Sequence, residues 1–151
     1  FECANTIESN KYIVNSKAIL VSKLNPQFKR IWDPFCETKN AICSTEFISY
    51  VPYKEKERSF LYAVLDSDAF YTHSVQRATS STGSRKRIQP EVSASFKFAY
   101  PNDESIINAF CDLCTPILKK KKDLLKENQD LRALKDWLLP FIMNGQFSIS
   151  D

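Results

Sequence analysis

The chain has 151 residues, 43% of them hydrophobic and 26% charged, with a formal net charge of +3, which suits one domain with a real core, or one domain plus an appendage. No apolar run approaches the roughly 20 residues needed to cross a bilayer, the opening Phe1-Glu2-Cys3-Ala4 lacks the basic and apolar regions of a signal peptide, and a cytoplasmic protein is expected. The first residue is not methionine, and a piece of something longer is expected.

The first hundred residues read as mixed and strand-rich. Ala18–Ser22 (AILVS) is a short apolar run stopped by Asn25-Pro26, and Phe47–Val51 (FISYV) has strand composition and stops at Pro52. Between them Ala41–Cys43 is too short to assign. Across Arg58–Val75 the residues Leu61, Val64, Leu65, Ala69 and Phe70 recur at helical spacing. Beyond a serine- and threonine-rich stretch, Val92, Ala94, Phe96, Phe98 and Tyr100 alternate, which predicts a half-buried strand closed by Pro101. The expected fold class is α+β: a globular mixed α/β domain over 1–101, then a long coiled-coil-type helix with a short C-terminal extension over 102–151.

The helix has the clearest pattern. Asn102 is the expected N-cap, with Asp103 and Glu104 at the positive end of the helix dipole. Phe110, Ile117, Leu124, Leu131 and Leu138 then fall every seven residues, widened by Leu118, Leu125 and Leu139. Their seam companions, Ile107, Cys114, Lys121, Asn128 and Lys135, turn polar along the helix. The stripe keeps its phase across Pro116, which predicts one kinked helix over two separate ones. Run to Leu139 it reaches ~55 Å at 1.5 Å per residue, and its period of seven predicts a helical partner. The residues expected to pair are Ile107, Phe110, Cys114, Ile117, Leu124, Asn128, Leu131 and Leu138. Pro140 is expected to end the helix, with Asn144-Gly145 turning before Phe147–Ile149.

Charge is distributed unevenly. Ser9–Trp32 holds Lys11, Lys17, Lys23, Lys29 and Arg30 with no acid, and Ala69–Pro90 holds Arg77, Arg85, Lys86 and Arg87 with no acid. The two stretches carry +5 and +4, more than the whole chain nets. Such blocks suit a surface facing a polyanion. Residues 103–138 carry seven cations and seven acids, so the helix is not that surface.

Catalytic tools are sparse. The segment Ser80–Ile88 (SSTGSRKRI) lacks the spacing of a phosphate-binding loop, and no dinucleotide, zinc-protease or serine-hydrolase motif is present. An Asn/Asp-Pro-Pro-aromatic tetrad, the mark of an adenine methyltransferase, is also missing. The single histidine, His73, has no recognisable partner and reads as structural. The five cysteines are odd in number and fit a reducing compartment. Cys111 and Cys114 form a C-x-x-C inside the helical pattern and read as small apolar residues, because zinc would need two more ligands. A binding module is expected. Hydroxyls and a glycine beside cations suit phosphate contact, and arginine forks suit guanine.

The order of "AILVSKLNP", "RIWDP", "AICSTEFISYVP", "STGSRKRI" and "LKDWLLPFIMNGQ" resembles one half of the specificity subunit of a type I restriction-modification enzyme, over nearly the whole chain. The resemblance implies a non-catalytic subunit with a target recognition domain that reads half of a split site in double-stranded DNA. It also implies a conserved spacer helix, packed antiparallel against a second one. Partners would be modification (methyltransferase) and restriction subunits, which would bring S-adenosylmethionine, ATP and Mg; no cofactor is expected in this chain. Such subunits carry two repeats and this chain has one, so it is either a fragment or a half-size subunit whose second recognition half is a copy of itself. Thr82, Gly83, Ser84, Arg85 and Arg87 match the loop pattern and, with Lys86, are the leading DNA-contact candidates. Lys23, Asn25, Lys29 and Arg30 follow, on charge and position. Ser44–Phe47 (STEF) matches a family pattern and equally fits a plain strand entry with Phe47 in the core. The competing reading is a protein-interaction scaffold whose long helix recruits a partner without any DNA recognition.

Overall fold

The computed structural model describes residues 7–34, 40–80 and 85–145. The chain falls into two compact units, Phe1–Asp112 and Leu113–Asp151. The first mixes strands and helices, and the long helix α4 (Glu104–Met143) starts in it and supplies most of the second.

In the first unit β2 (Ile19–Ser22) is the central strand, with β3 (Ile31–Trp32) on one side and β5 (Phe47–Tyr50) on the other, both antiparallel. Its register sets Leu20 opposite Ser49 and Trp32, and Val21 opposite Ile48 and Ile31. A separate antiparallel pair joins β1 (Lys11–Ile13) to β4 (Ile42–Ser44). The apolar run 18–22 thus becomes a strand buried on both faces. Leu20 packs with Val14, Ala18 and Cys43, while Ile19 and Val21 point the other way onto Leu65 and Phe70. Alternation across the pleat divides one run between two cores. Full burial of each such aliphatic side chain contributes about 1.5–3 kcal/mol.

The helical stretch 58–75 is two helices, α1 (Arg58–Leu65) and α2 (Asp68–Arg77). Ser67 makes the break. Its hydroxyl donates to the Val64 carbonyl at 2.7 Å and accepts the Phe70 amide at 3.2 Å, closing one helix and capping the next. Arg58, in the first turn of α1, donates to the carbonyls of Ser16 and Ala18 at 3.1 and 3.3 Å and pairs with Asp33. It thereby ties α1 to the segments leading into β2 and out of β3.

The strand expected over 92–100 is absent. Pro90–Ala94 forms a short helix, α3, with Pro90 in its first turn, and Phe96–Tyr100 is irregular. The alternating aromatics serve a chain of ring contacts instead. Phe96 lies 5.3 Å from Phe70 and 6.2 Å from Phe98, and Phe60 lies 6.1 Å from Phe98, 5.8 Å from Tyr100 and 5.9 Å from Phe110. Edge-on, tilted and stacked rings at these spacings hold each other without a hydrogen-bonded ladder. Tyr50 fixes α3 to the sheet by donating to the Ser93 hydroxyl at 2.7 Å. His73 is structural: its Nε2 lies 2.9 Å from the Val92 carbonyl and its ring meets Phe96 edge-on at 5.2 Å.

Helix α4 runs unbroken through Pro116, as expected, and also through Pro140, which was expected to end it. Its cap is Asp103, whose carboxylate accepts the Ser105 amide at 2.8 Å, one residue later than the expected Asn102. The turn at Asn144-Gly145 is present, with Gly145 at φ 65°. In the second unit Ile117, Leu124, Leu131 and Leu139 are all exposed. Among the described residues no helix is long and apolar enough to cross a membrane.

Candidate functional site

The two cation-rich stretches meet. Asn25 donates its amide to the Lys86 carbonyl at 2.7 Å, and its side-chain Oδ1 accepts the Lys86 amide at 3.1 Å. Ile88 donates to the Lys23 carbonyl at 3.0 Å, and Arg87 exchanges both backbone bonds with Thr79, at 2.8 and 2.9 Å. Leu24 and Thr79 each form an antiparallel bridge with Arg87. The anchor is Ile88, 1% exposed, which sinks into the core directly after the cations. The turn that lets this happen is Asn25-Pro26. Asn25 sits at φ 49°, a left-handed conformation that asparagine tolerates better than most residues.

Lys23, Asn25, Arg85, Lys86 and Arg87 are therefore neighbours, although some 60 residues separate the two segments in sequence. Arg85 and Lys86 are exposed; Lys23, Asn25 and Arg87 are half-buried. Thr82, Gly83 and Ser84 lie outside the described residues, as do Cys3 and Cys36.

Folding also supplies acids that the cationic stretches lack in sequence. Glu46, at the β4–β5 turn, takes the guanidinium of Arg87 side-on, with Nε at 3.1 and 3.3 Å and Nη2 at 2.9 Å. Its carboxyl is held below the ordinary value, chiefly by the hydrogen bond from Arg87, with further help from the charges of Lys23 and Arg85. The Glu46 carbonyl accepts the Lys23 amide at 2.9 Å, and its own amide donates to the Ser44 hydroxyl at 3.2 Å. The STEF segment is thus a strand entry, with Phe47 packed on the core, and at the same time a wall of the cationic cluster.

The other cations are used differently. Lys29 donates to the Asp66 carbonyl at the end of α1, lies 3.0 Å from the Asp66 carboxylate and 4.0 Å from that of Asp68. A cation there complements the helix C-terminus, so Lys29 is engaged in holding α1. Arg30 places its guanidinium 5.8 Å from the ring of exposed Phe28. Lys17 pairs with Glu55 at 2.6 Å. Among the described residues, the cations around Arg87 without a salt bridge are Lys23, Arg85 and Lys86.

The helix residues expected to pair divide by place. Ile107 is 2% exposed and Phe110 packs on Phe60, so both serve the first unit. Ile117, Leu124 and Asn128 line one shallow face of α4 with Pro116, Lys120, Lys121 and Leu125. Leu131 is exposed, and Cys114 and Leu138 are half-buried. Cys111 is buried and, like Cys114, not disulfide-bonded. Among the described residues no group of three His, Cys, Asp or Glu side chains could hold a metal ion.

In the sequence Glu46 stands out only as part of Ser44–Phe47. An acid 41 residues from Arg87 leaves no local signal that it meets the cationic loop. Comparison with protein-family models, with curated proteins and with solved structures gave no match.

Proposed function

We propose that the chain is a non-catalytic DNA-recognition module, one recognition half of the kind found in the specificity subunit of a type I restriction-modification enzyme. The observation that carries this reading is the junction of Lys23–Asn25 with Lys86–Ile88, which gathers Lys23, Arg85, Lys86 and Arg87 on one surface. Clustered cations on rigid backbone meet phosphates, and an arginine among them can read a base edge. The two segments that meet here through Glu46 and Arg87 are also two of those that carry the resemblance. In this reading the protein is cytoplasmic and binds one half of a split site. Its modification and restriction partners supply the S-adenosylmethionine and ATP chemistry. The exposed stripe of α4, Ile117 to Leu139, packs against the spacer helix of a second recognition half, here a second copy of the chain.

The test is a fluorescence-anisotropy titration of duplex DNA at several salt concentrations. Binding should weaken with salt, and the Arg85→Ala, Lys86→Ala double variant should weaken it on all sequences and lower the log–log salt slope by about two. A wild-type chain without salt-dependent DNA binding refutes the reading. The exposed α4 stripe would then favour the second one, a scaffold whose helix recruits a protein partner.

A further inference from the structure

The pair formed by Glu46 and Arg87 joins two segments that lie 41 residues apart in sequence. Both partners are fixed at the backbone: Arg87 by two bonds to Thr79, Glu46 by bonds to Lys23 and Ser44. The contact uses one edge of the guanidinium, Nε with Nη2. An arginine has five N–H donors in a fixed fork, so this grip leaves its Nη1 donors and the second Nη2 donor. Among the described residues nothing else takes them, and the side chain is 41% exposed. The remaining edge is the one that engages O6 and N7 of guanine end-on.

We propose that Glu46 is a positioning residue for sequence reading: it grips Arg87 by the Nε–Nη2 edge and so orients the Nη1–Nη2 edge for a guanine in the major groove. This rests on the DNA-recognition reading above and adds the residue that sets the arginine's geometry. Three consequences separate it from a merely structural ion pair. Glu46 does not touch DNA, yet its loss erases preference at the base pair that Arg87 reads. The two residues act as one unit, so their losses do not add. Lysine cannot replace Arg87, because an ammonium lacks the fork.

The experiment uses the full chain and a randomised duplex pool, followed by anisotropy titrations on the selected duplex and its single-base-pair substitutions. The variants are Glu46→Ala, Glu46→Gln, Arg87→Ala, Arg87→Lys and the double Glu46→Ala, Arg87→Ala. Each is checked for a wild-type amide spectrum, and Glu46→Gln keeps the shape of the side chain should the alanine variant fail to fold. Glu46→Ala, Arg87→Ala and Arg87→Lys are each expected to flatten preference at the same base pair, by about 5- to 150-fold. The double variant should be no flatter than Arg87→Ala, and Glu46→Gln should lose part of the preference. The proposal is overturned if Glu46→Ala and Glu46→Gln keep full discrimination while Arg87→Ala loses it. It is equally overturned if Glu46 and Arg87 variants affect different base pairs. A wild type that binds DNA with no preference at all overturns it while leaving DNA binding standing. Absence of any DNA binding overturns both readings together.

Discussion

Replacing Asn25 tests how the cationic cluster is assembled. Its side-chain Oδ1 accepts the Lys86 amide at 3.1 Å, and its backbone sits at φ 49°. Asn25→Ala removes the acceptor, worth about 1 kcal/mol. It also places an ordinary Cβ-bearing residue in a left-handed conformation, which costs about another 1 kcal/mol. The sum is about 2 kcal/mol. Asn25→Gly loses the same bond but relieves the backbone, so it should cost only about 1 kcal/mol. The assay is urea unfolding followed through the NMR amide signals of β2. The midpoints should order wild type, glycine, alanine, with an unchanged slope. Hydrogen exchange at the Lys86 amide should quicken in both variants. Equal midpoints for alanine and glycine would refute the conformational argument, and wild-type midpoints for both would refute any contribution from the Lys86 bond.

Three further expectations follow from single contacts. Ser67→Ala removes the cap of α2 and should cost about 1 kcal/mol in urea unfolding; an unchanged midpoint would mean that the α1–α2 break is held by packing alone. Glu46 is depressed, so its pairing with Arg87 contributes stability above the unfolded carboxyl value near 4.5 and loses it as pH falls through the lower folded value. The stability difference between wild type and Glu46→Gln should therefore be level at neutral pH and shrink in acid, and a difference that stays constant into acid would contradict the pairing. Leu131, 56% exposed on α4, should shift a wild-type dimer toward monomer when changed to glutamate. Sedimentation showing a wild-type monomer at micromolar concentration would count against a paired α4.

Elements held by their own residues were legible in the sequence. Ala18–Ser22 is apolar throughout and bounded by a turn, and the strand is there. The heptad stripe across Pro116 gave a continuous helix, and α4 is continuous. Misreadings arose where one pattern fitted two structures. Leu61, Leu65 and Phe70 keep helical phase across a break, because α1 and α2 turn these three residues to the same core, while Ala69 is exposed. Ser67 was the available signal, a hydroxyl residue followed by an acid at the start of a helix. The alternation of Phe96, Phe98 and Tyr100 looks like a pleat, yet it is produced by rings reaching successive partners around Phe60 and Phe70. Pro140 failed to stop α4. The cationic surface was visible only as acid-free stretches. The acids that temper it, Glu46 for Arg87 and Asp66 for Lys29, come from distant segments and are unreadable in one dimension.

The chain's two tryptophans are apportioned one to each compact unit: Trp32 in β3 and Trp137 in α4. They are 37% and 59% exposed, Trp137 with its ring 5.3 Å from Phe141. Each unit therefore carries its own intrinsic chromophore. Tryptophan emission from a Trp137→Phe chain arises only from the sheet, and from a Trp32→Phe chain only from the helix. Quenching and emission maxima of the two single-tryptophan chains would report, without any added label, whether DNA protects one unit and a protein partner the other.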